Sequence, residues 1–209
     1  MSSLRWIVVG VLLLVAAPAQ AQGLSDRSPR IAVNLALGFA GELETDTDLG
    51  DADTDLDPSI GFDLRGELPV LDFLVIGAWF QFLSVEPDAN AWDREETFSF
   101  DAFVRVRWVF EVIADTLFIE PYAMLPVGFS LAVLPELDGG DGDDIYPGWN
   151  ISVLLGAQLL HSSGVGGYLE IGWRHVEVYG DDVSGILGDV SHALNEMALN
   201  LGFVYAFGR

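Results

Sequence analysis

Three features of the sequence predict an all-β fold: an eight-stranded antiparallel up-and-down transmembrane β-barrel. Apolar residues alternate with polar or small ones through most of the chain, the connections alternate between short and long, and no run of 18 apolar residues follows the N-terminal stretch. The 209 residues carry a formal charge of −23, from 32 acids and 9 bases, and every base is Arg. Yet 51% of the residues are hydrophobic and the mean hydropathy is +0.37. A disordered acidic chain would be poor in aromatics, whereas this one has 13 Phe, 6 Trp and 5 Tyr. Apolar residues and acids must therefore occupy different places. No basic patch exists to neutralise phosphates, which excludes nucleic-acid binding. The absence of Cys excludes disulfides, a Cys-based zinc site and a lipid-modified N-terminal Cys.

Residues 1–21 read as a cleaved secretory signal, and residues 22–209 as the barrel domain. Arg5 supplies the positive start, Trp6 to Ala17 form an apolar stretch, and Ala19-Gln20-Ala21 is a small-x-small cleavage site. The apolar stretch, about twelve residues long, falls short of the ~20 that a helical span needs.

Eight segments follow, at about 30–41, 59–69, 73–84, 97–110, 117–133, 148–160, 167–178 and 194–207. In the first, Ile31, Val33, Leu35, Leu37 and Phe39 share one face, against Ala32, Asn34, Ala36, Gly38 and Ala40. The second sets Asp63, Arg65 and Glu67 on its polar face, and the third carries Phe80 and Phe82 on its apolar face. The fourth alternates most regularly: Phe98, Phe100, Ala102, Val104, Val106, Trp108 and Phe110 oppose Ser99, Asp101, Phe103, Arg105, Arg107 and Val109. The fifth holds Glu120, the sixth Trp149, and the seventh Glu170 and Arg174. The eighth sets Met197, Leu199, Leu201, Phe203, Tyr205 and Phe207 against Ala198, Asn200, Gly202, Val204 and Ala206. Most segments exceed the about 9–11 residues that a tilted strand needs to cross a bilayer. Residues 70–72, 111–116 and 161–166 make short turns; 42–58, 85–96, 134–147 and 179–193 make long loops. Pro121 and Pro126 interrupt the ladder of the fifth strand, so a bulge or a shortened strand is expected there.

The bulky face should point to hydrocarbon and the small polar face to the lumen. Eight bulky faces cannot fit inside an eight-stranded barrel, whose interior side chains only just fill. The outward aromatics form two bands: Phe39, Phe62, Phe80, Phe82, Phe98, Phe100, Phe129 and Trp149 near the long loops, and Trp108, Phe110, Tyr205 and Phe207 near the short turns. The inward charges are Asp63, Arg65, Glu67, Asp101, Arg105, Arg107, Glu120, Glu170 and Arg174. Ions in a narrow lumen are costly unless paired, so an Arg–carboxylate network is expected there, as a structural filling or as a gate.

The last strand carries Asn200, Gly202, Tyr205 and Phe207 at the spacing polar-x-Gly-x-x-aromatic-x-aromatic. This resembles the C-terminal signal of bacterial outer-membrane barrels, with the difference that Gly208 and Arg209 follow the aromatic that usually ends the chain. The chain as a whole resembles the small eight-stranded outer-membrane barrels, of the OmpX-like and OmpA membrane-domain type. The resemblance implies the bacterial outer membrane as location. It also implies the barrel-assembly machinery, outer-membrane lipids and lipopolysaccharide as partners.

The long loops are acidic. Glu42, Glu44, Asp46, Asp48, Asp51, Asp53, Asp55 and Asp57 crowd the first, and Glu136, Asp138, Asp141, Asp143 and Asp144 the third. Carboxylates at such spacing can hold Ca²⁺. The metal candidates are Asp46, Asp48, Asp51, Asp53, Asp55, Asp57, Asp138, Asp141, Asp143 and Asp144, although neither run matches the twelve-residue calcium loop. His161, His175 and His192, with Ser162, Ser163, Ser184 and Ser191, are the available Ser and His groups for acyl chemistry. The reading is a non-enzymatic barrel without a cofactor, structural or surface-interacting through acidic loops. The alternatives are a narrow solute channel, a lipid-modifying enzyme and a cation-binding adhesion module.

Overall fold

A computed structural model describes residues 27–47, 50–85, 95–135, 143–181 and 189–208; the expected signal at 1–21 lies outside them. The strands are β1 (Arg30–Thr47), β2 (Gly50–Leu56), β3 (Ile60–Leu71), β4 (Leu74–Val85), β5 (Glu95–Arg107), β6 (Phe110–Ile113), β7 (Leu117–Pro135), β8 (Asp143–His161), β9 (Val165–Asp181) and β10 (Asp189–Ala206). Eight of them form the wall, in the order β1-β3-β4-β5-β7-β8-β9-β10. Antiparallel pairing of β10 with β1, from Arg30↔Ala206 to Thr47↔Val190, closes the barrel. Closure gives each of the eight wall strands a neighbour on both sides, which a sheet surrounded by hydrocarbon requires.

The alternation sets the polarity of the wall. Ile31, Val33, Leu35 and Phe39 face outward while Ala32 and Ala36 are buried inside. On β3 to β5 the outward phenylalanines touch in a chain: Phe62 to Phe82 at 5.5 Å, Phe80 to Phe100 at 5.1 Å and Phe82 to Phe98 at 5.1 Å between ring centroids. Phe129 continues the row in register with Phe100. Tyr205 and Phe207 meet edge-on at the other end of the wall.

Four details differ from the sequence reading. First, much of the expected long-loop region is strand. β7 and β8 run 19 residues each, roughly 60 Å of extended chain and nearly twice what a crossing needs. Residues 42–58 hold a hairpin, in which β2 pairs back onto β1 from Gly41↔Leu56 to Thr47↔Gly50. The register of β1 on β10 shifts between Phe39 and Glu42, where Ala40 takes a left-handed backbone with φ 50°. Second, β7 shows neither bulge nor shortening at its prolines. It keeps one register with β8, and pairing lapses only between Met124↔Leu154 and Val127↔Ile151, around Pro126. Pro121 still serves the wall, because its carbonyl accepts from Trp108 N–H at 3.0 Å. Third, the turn expected at 111–116 is shorter, since β6 pairs with β7 as far as Ile113. Fourth, the lumen is not filled by small and charged residues alone. Val75, Trp79, Phe103, Tyr122, Met124, Leu154 and Ala198 form an apolar cluster inside it. Ala32, Leu160, Tyr168 and Val204 form another toward the short turns.

Gly202 marks a close approach between these layers. A Cβ there would stand 2.5 Å from Asn34 Cβ and 2.6 Å from the Tyr168 ring. Gly202→Ala should therefore destabilise the barrel by about 1–3 kcal/mol through overpacking. Urea unfolding in lipid vesicles reads this as a lower midpoint, and an unchanged midpoint would contradict the packing described.

Candidate functional site

The bore is crossed by ion pairs whose partners stand on different walls. Five arginines (Arg30, Arg65, Arg105, Arg107, Arg174) and six acids (Asp63, Glu67, Asp101, Glu120, Glu170, Glu196) are buried there. Alternation delivers them, since each occupies the inward parity of its strand.

Nearest the short turns, Glu120 of β7 receives two arginines. Arg30 of β1 grips it with both terminal nitrogens, at 2.7 and 3.0 Å, and Arg107 of β5 donates at 2.9 Å. Arg107 Nε also donates to the Asp72 carbonyl at 3.2 Å. In the next layer, Arg105 holds Glu67 of β3 by two bonds of 2.8 and 2.7 Å, and its guanidinium lies 4.7 Å from the Tyr122 ring centroid. Such forked pairs match guanidinium and carboxylate geometry.

The central layer is the most fully bonded. Arg65 of β3 reaches across to Glu170 of β9, with Nη2 to Oε2 at 2.7 Å. Its Nε lies 3.3 Å from Asp63, and its flat face lies 4.2 Å from the Trp79 ring centroid. Tyr122 donates its hydroxyl to Glu170 at 2.6 Å and Asn200 donates an amide at 3.0 Å. Asn34 donates to Asp63, and Tyr168 donates to Asn34 at 2.7 Å.

Toward the long strands, Arg174 of β9 donates through Nη1 to Glu196 of β10, and Ser59 donates to the same carboxylate at 2.7 Å. Asn150 donates to Ser130 at 2.8 Å, and Ser130 also meets Ser99 at 2.8 Å. Asp101 is buried in this layer, and its Oδ1 has no hydrogen-bond partner. Above it, Val85, Ala132, Val176, Val178 and Leu194 close the mouth, with Leu56 and Tyr146 packed against them. His192 sits at this level beyond the wall's lipid-facing rows, and burial pushes its imidazole below the usual value.

All nine lumen residues named from the sequence are inside. Asp63, Arg65, Glu67, Arg105, Arg107, Glu120, Glu170 and Arg174 are ion-paired, whereas Asp101 stands outside those pairs. Arg30 and Glu196 were missed. Both follow from parity, two positions before Ala32 and two before Ala198, but each sits at a segment end. The partner of Arg30 lies across the lumen and had no signal in a single sequence, whereas that of Glu196 is its ladder partner Arg174.

The acidic candidates fall elsewhere. Asp53 and Asp55 are exposed on β2, opposite Glu44 and Glu42 of β1, and Asp51 is in register with Asp46. Asp57 is exposed just beyond β2. Asp143 and Asp144 open β8, while Asp48, Asp138 and Asp141 lie outside the described residues. Among the described residues, no group of three or more His, Cys, Asp or Glu is placed to hold a metal ion. Like charges directly opposite in a ladder oppose pairing.

The Ser and His groups are dispersed. His161 Nδ1 contacts Ser163 Oγ at 2.9 Å in an exposed turn. His175 lies outward beside Trp149 and Trp173 and contacts Asn195 at 2.9 Å. Ser191 and His192 are successive strand residues, so their side chains leave opposite faces. Ser162 occupies the turn after β8, and Ser184 lies outside the described residues.

The closed wall, its outward apolar rows and its charged bore define the class: an eight-stranded transmembrane β-barrel, the fold of the outer-membrane proteins to which it is similar. No protein-family model and no curated protein matches the chain. Among solved structures it is similar to the outer membrane protein OprG of Pseudomonas aeruginosa, with a TM-score of 0.52 and 10% identity over 88% of this chain and 98% of that one. Neisserial surface protein A matches with a TM-score of 0.48 and 16% identity over 85% and 97%. The outer membrane protein AlkL matches with a TM-score of 0.46 and 13% identity over 91% and 95%.

Glu170→Ala would remove the forked carboxylate of Arg65 and leave it only the contact to Asp63 at 3.3 Å. The expected cost is about 3–5 kcal/mol, the usual result of removing one partner of a buried pair. Arg65→Met combined with Glu170→Leu should cost less than Glu170→Ala alone. Unfolding in vesicles distinguishes the two, and a double variant as weak as the single would contradict the pairing.

Proposed function

We propose that this protein is a non-enzymatic, non-conducting barrel. It anchors an acidic, strand-built tier on the outer surface and acts as a structural or surface-interacting element. The observation that carries this reading is the filling of the bore. Ion pairs join opposite walls at successive depths, apolar clusters occupy the space around them, and a further apolar cluster covers the mouth. A path for ions would need water around charges that here are matched to each other.

The other parts fit the same reading. Residues 1–21 serve as the export signal. Asn200, Gly202, Tyr205 and Phe207 present the strand that the barrel-assembly machinery recognises. The aromatic rows sit against outer-membrane lipid and lipopolysaccharide. The acidic tier faces outward, where divalent cations can gather diffusely between it and anionic lipid.

Planar-bilayer recording tests the proposal. Wild-type protein at pH 7 should give no unitary current. Removing a strut with Arg65→Ala and Glu170→Ala together should admit ions and produce one. Unitary current in the wild type would overturn the reading in favour of a channel.

A further inference from the structure

The mouth of the bore contains a buried titratable group that the lumen pairs do not use. His192 of β10 is 5% exposed. Its Nδ1 lies 3.0 Å from Thr45 Oγ1 of β1, and its ring meets Tyr146 of β8 edge-on at 6.3 Å. In the ladder it stands opposite Val178 of β9. Val178, with Leu194 two positions along β10, belongs to the apolar cluster that closes the mouth, and Tyr146 and Leu56 pack on that cluster. The imidazole thus borders the lid, held to β1 through Thr45 and to β8 through Tyr146.

The charged and titratable neighbours are all acids or tyrosines among the described residues of this tier. On β1, Glu44 and Asp46 flank Thr45, opposite Ala193 and Ser191. On β2, Asp51 and Asp53 flank Ala52, which is opposite Thr45. β8 contributes Tyr146, and on β9 Glu177 and Tyr179 flank Val178. Along β10 stand Asp189 and, one layer down, Glu196, which is paired with Arg174. Glu44 and Asp53 are exposed, where solvent screens their pull on the imidazole. Val178 and Leu194 of the apolar cluster stand beside His192, across the ladder and along β10.

We propose that His192 is a proton-triggered latch: neutral, it completes the apolar lid; protonated, it releases the lid and opens the upper tier of the bore. The proposal rests on the closed-bore reading above. Burial keeps the imidazole neutral in the closed state. The sign follows from that. Above the ordinary imidazole pKa of about 6.5 both states are neutral and the lid has its full stability. Below it the open state takes up the proton first, so the closed state loses about tenfold in population ratio per pH unit until the depressed value is reached. Acidification therefore opens the lid.

Hydrogen exchange on the whole protein in lipid nanodiscs tests this, with rates corrected for the intrinsic pH dependence. Between pH 7.0 and 5.5, protection in residues 50–56 and 189–194 should fall, while residues 197–205 stay protected. His192→Asn should abolish the fall. A variant carrying His161→Asn and His175→Asn, with His192 as its only histidine, should retain it, and it serves if His192→Asn fails to fold. Constant protection in the wild type, an equal fall in His192→Asn, or loss of the fall in the double variant would overturn the latch. Current at pH 7 would instead overturn the closed bore, so the two failures are distinguishable.

Discussion

Everything inside this barrel follows from one constraint: an eight-stranded bore is too narrow to hydrate the charges that its strands point inward. Each guanidinium must therefore find its carboxylate inside the bore, across the lumen for Arg30 and Arg65 and on a neighbouring strand for Arg107 and Arg174. Glu170 illustrates how completely this is met. Its two oxygens accept from Arg65, Tyr122 and Asn200, so residues from β3, β7, β9 and β10 converge on one carboxylate. Asn200 is the ladder partner of Glu170, whereas the contacts from Arg65 and Tyr122 join strands that are not neighbours. They fix the cross-section of the barrel in a way that the backbone ladder, which fixes only adjacent strands, does not.

The absence of Lys has a physical sense in this setting. Arg30, Arg65 and Arg105 each use two terminal nitrogens on one carboxylate. A lysine could offer only a point charge there, and would lose its proton when buried more readily than arginine. Arg65 and Arg105 also lie over aromatic rings, which gives the planar face of the group a partner where water is excluded. The five buried arginines leave the upper tier with acids and no base among its described residues. The strong negative charge of the chain is thus a property of one end of the molecule.

Period two made the wall legible from the sequence, because a strand inserted in lipid has to show one face to hydrocarbon. The parity of Phe100 settles that of its neighbours on β5, and that of Ile31 settles β1 as far as the register shift after Phe39. The same rule placed the nine interior charges, and it would have placed Arg30 and Glu196 had the segments been read to their ends. Partners were not legible. Arg65 and Glu170 lie 105 positions apart, and only closure and shear bring them together. The upper strands escaped notice for a different reason. Above the membrane no hydrocarbon enforces alternation, so Glu42 to Thr47 read as an acidic loop although they form a ladder with β2. The prolines misled because a ladder lapse costs less than a bulge. Pro126 gives up its pairing with β8 locally while β5 and β7 stay in register through Phe103↔Pro126.

The two tiers answer to different solvents, and the boundary between them falls where the physics changes. Below, lipid fixes the outer face and ion pairs fill the inner one. Above, water meets the outer face, and the inner face turns apolar at Val85, Val176, Val178 and Leu194. This inversion is necessary. A strand tier in water gains stability only by burying apolar surface inward, and the apolar clusters of the bore below lie at other depths. The apolar lid therefore holds the upper tier together as well as closing the mouth. A group that disturbs it acts on both at once, which is why the single buried imidazole in that lid, rather than any of the many surface carboxylates, is where proton binding would be felt through the tier.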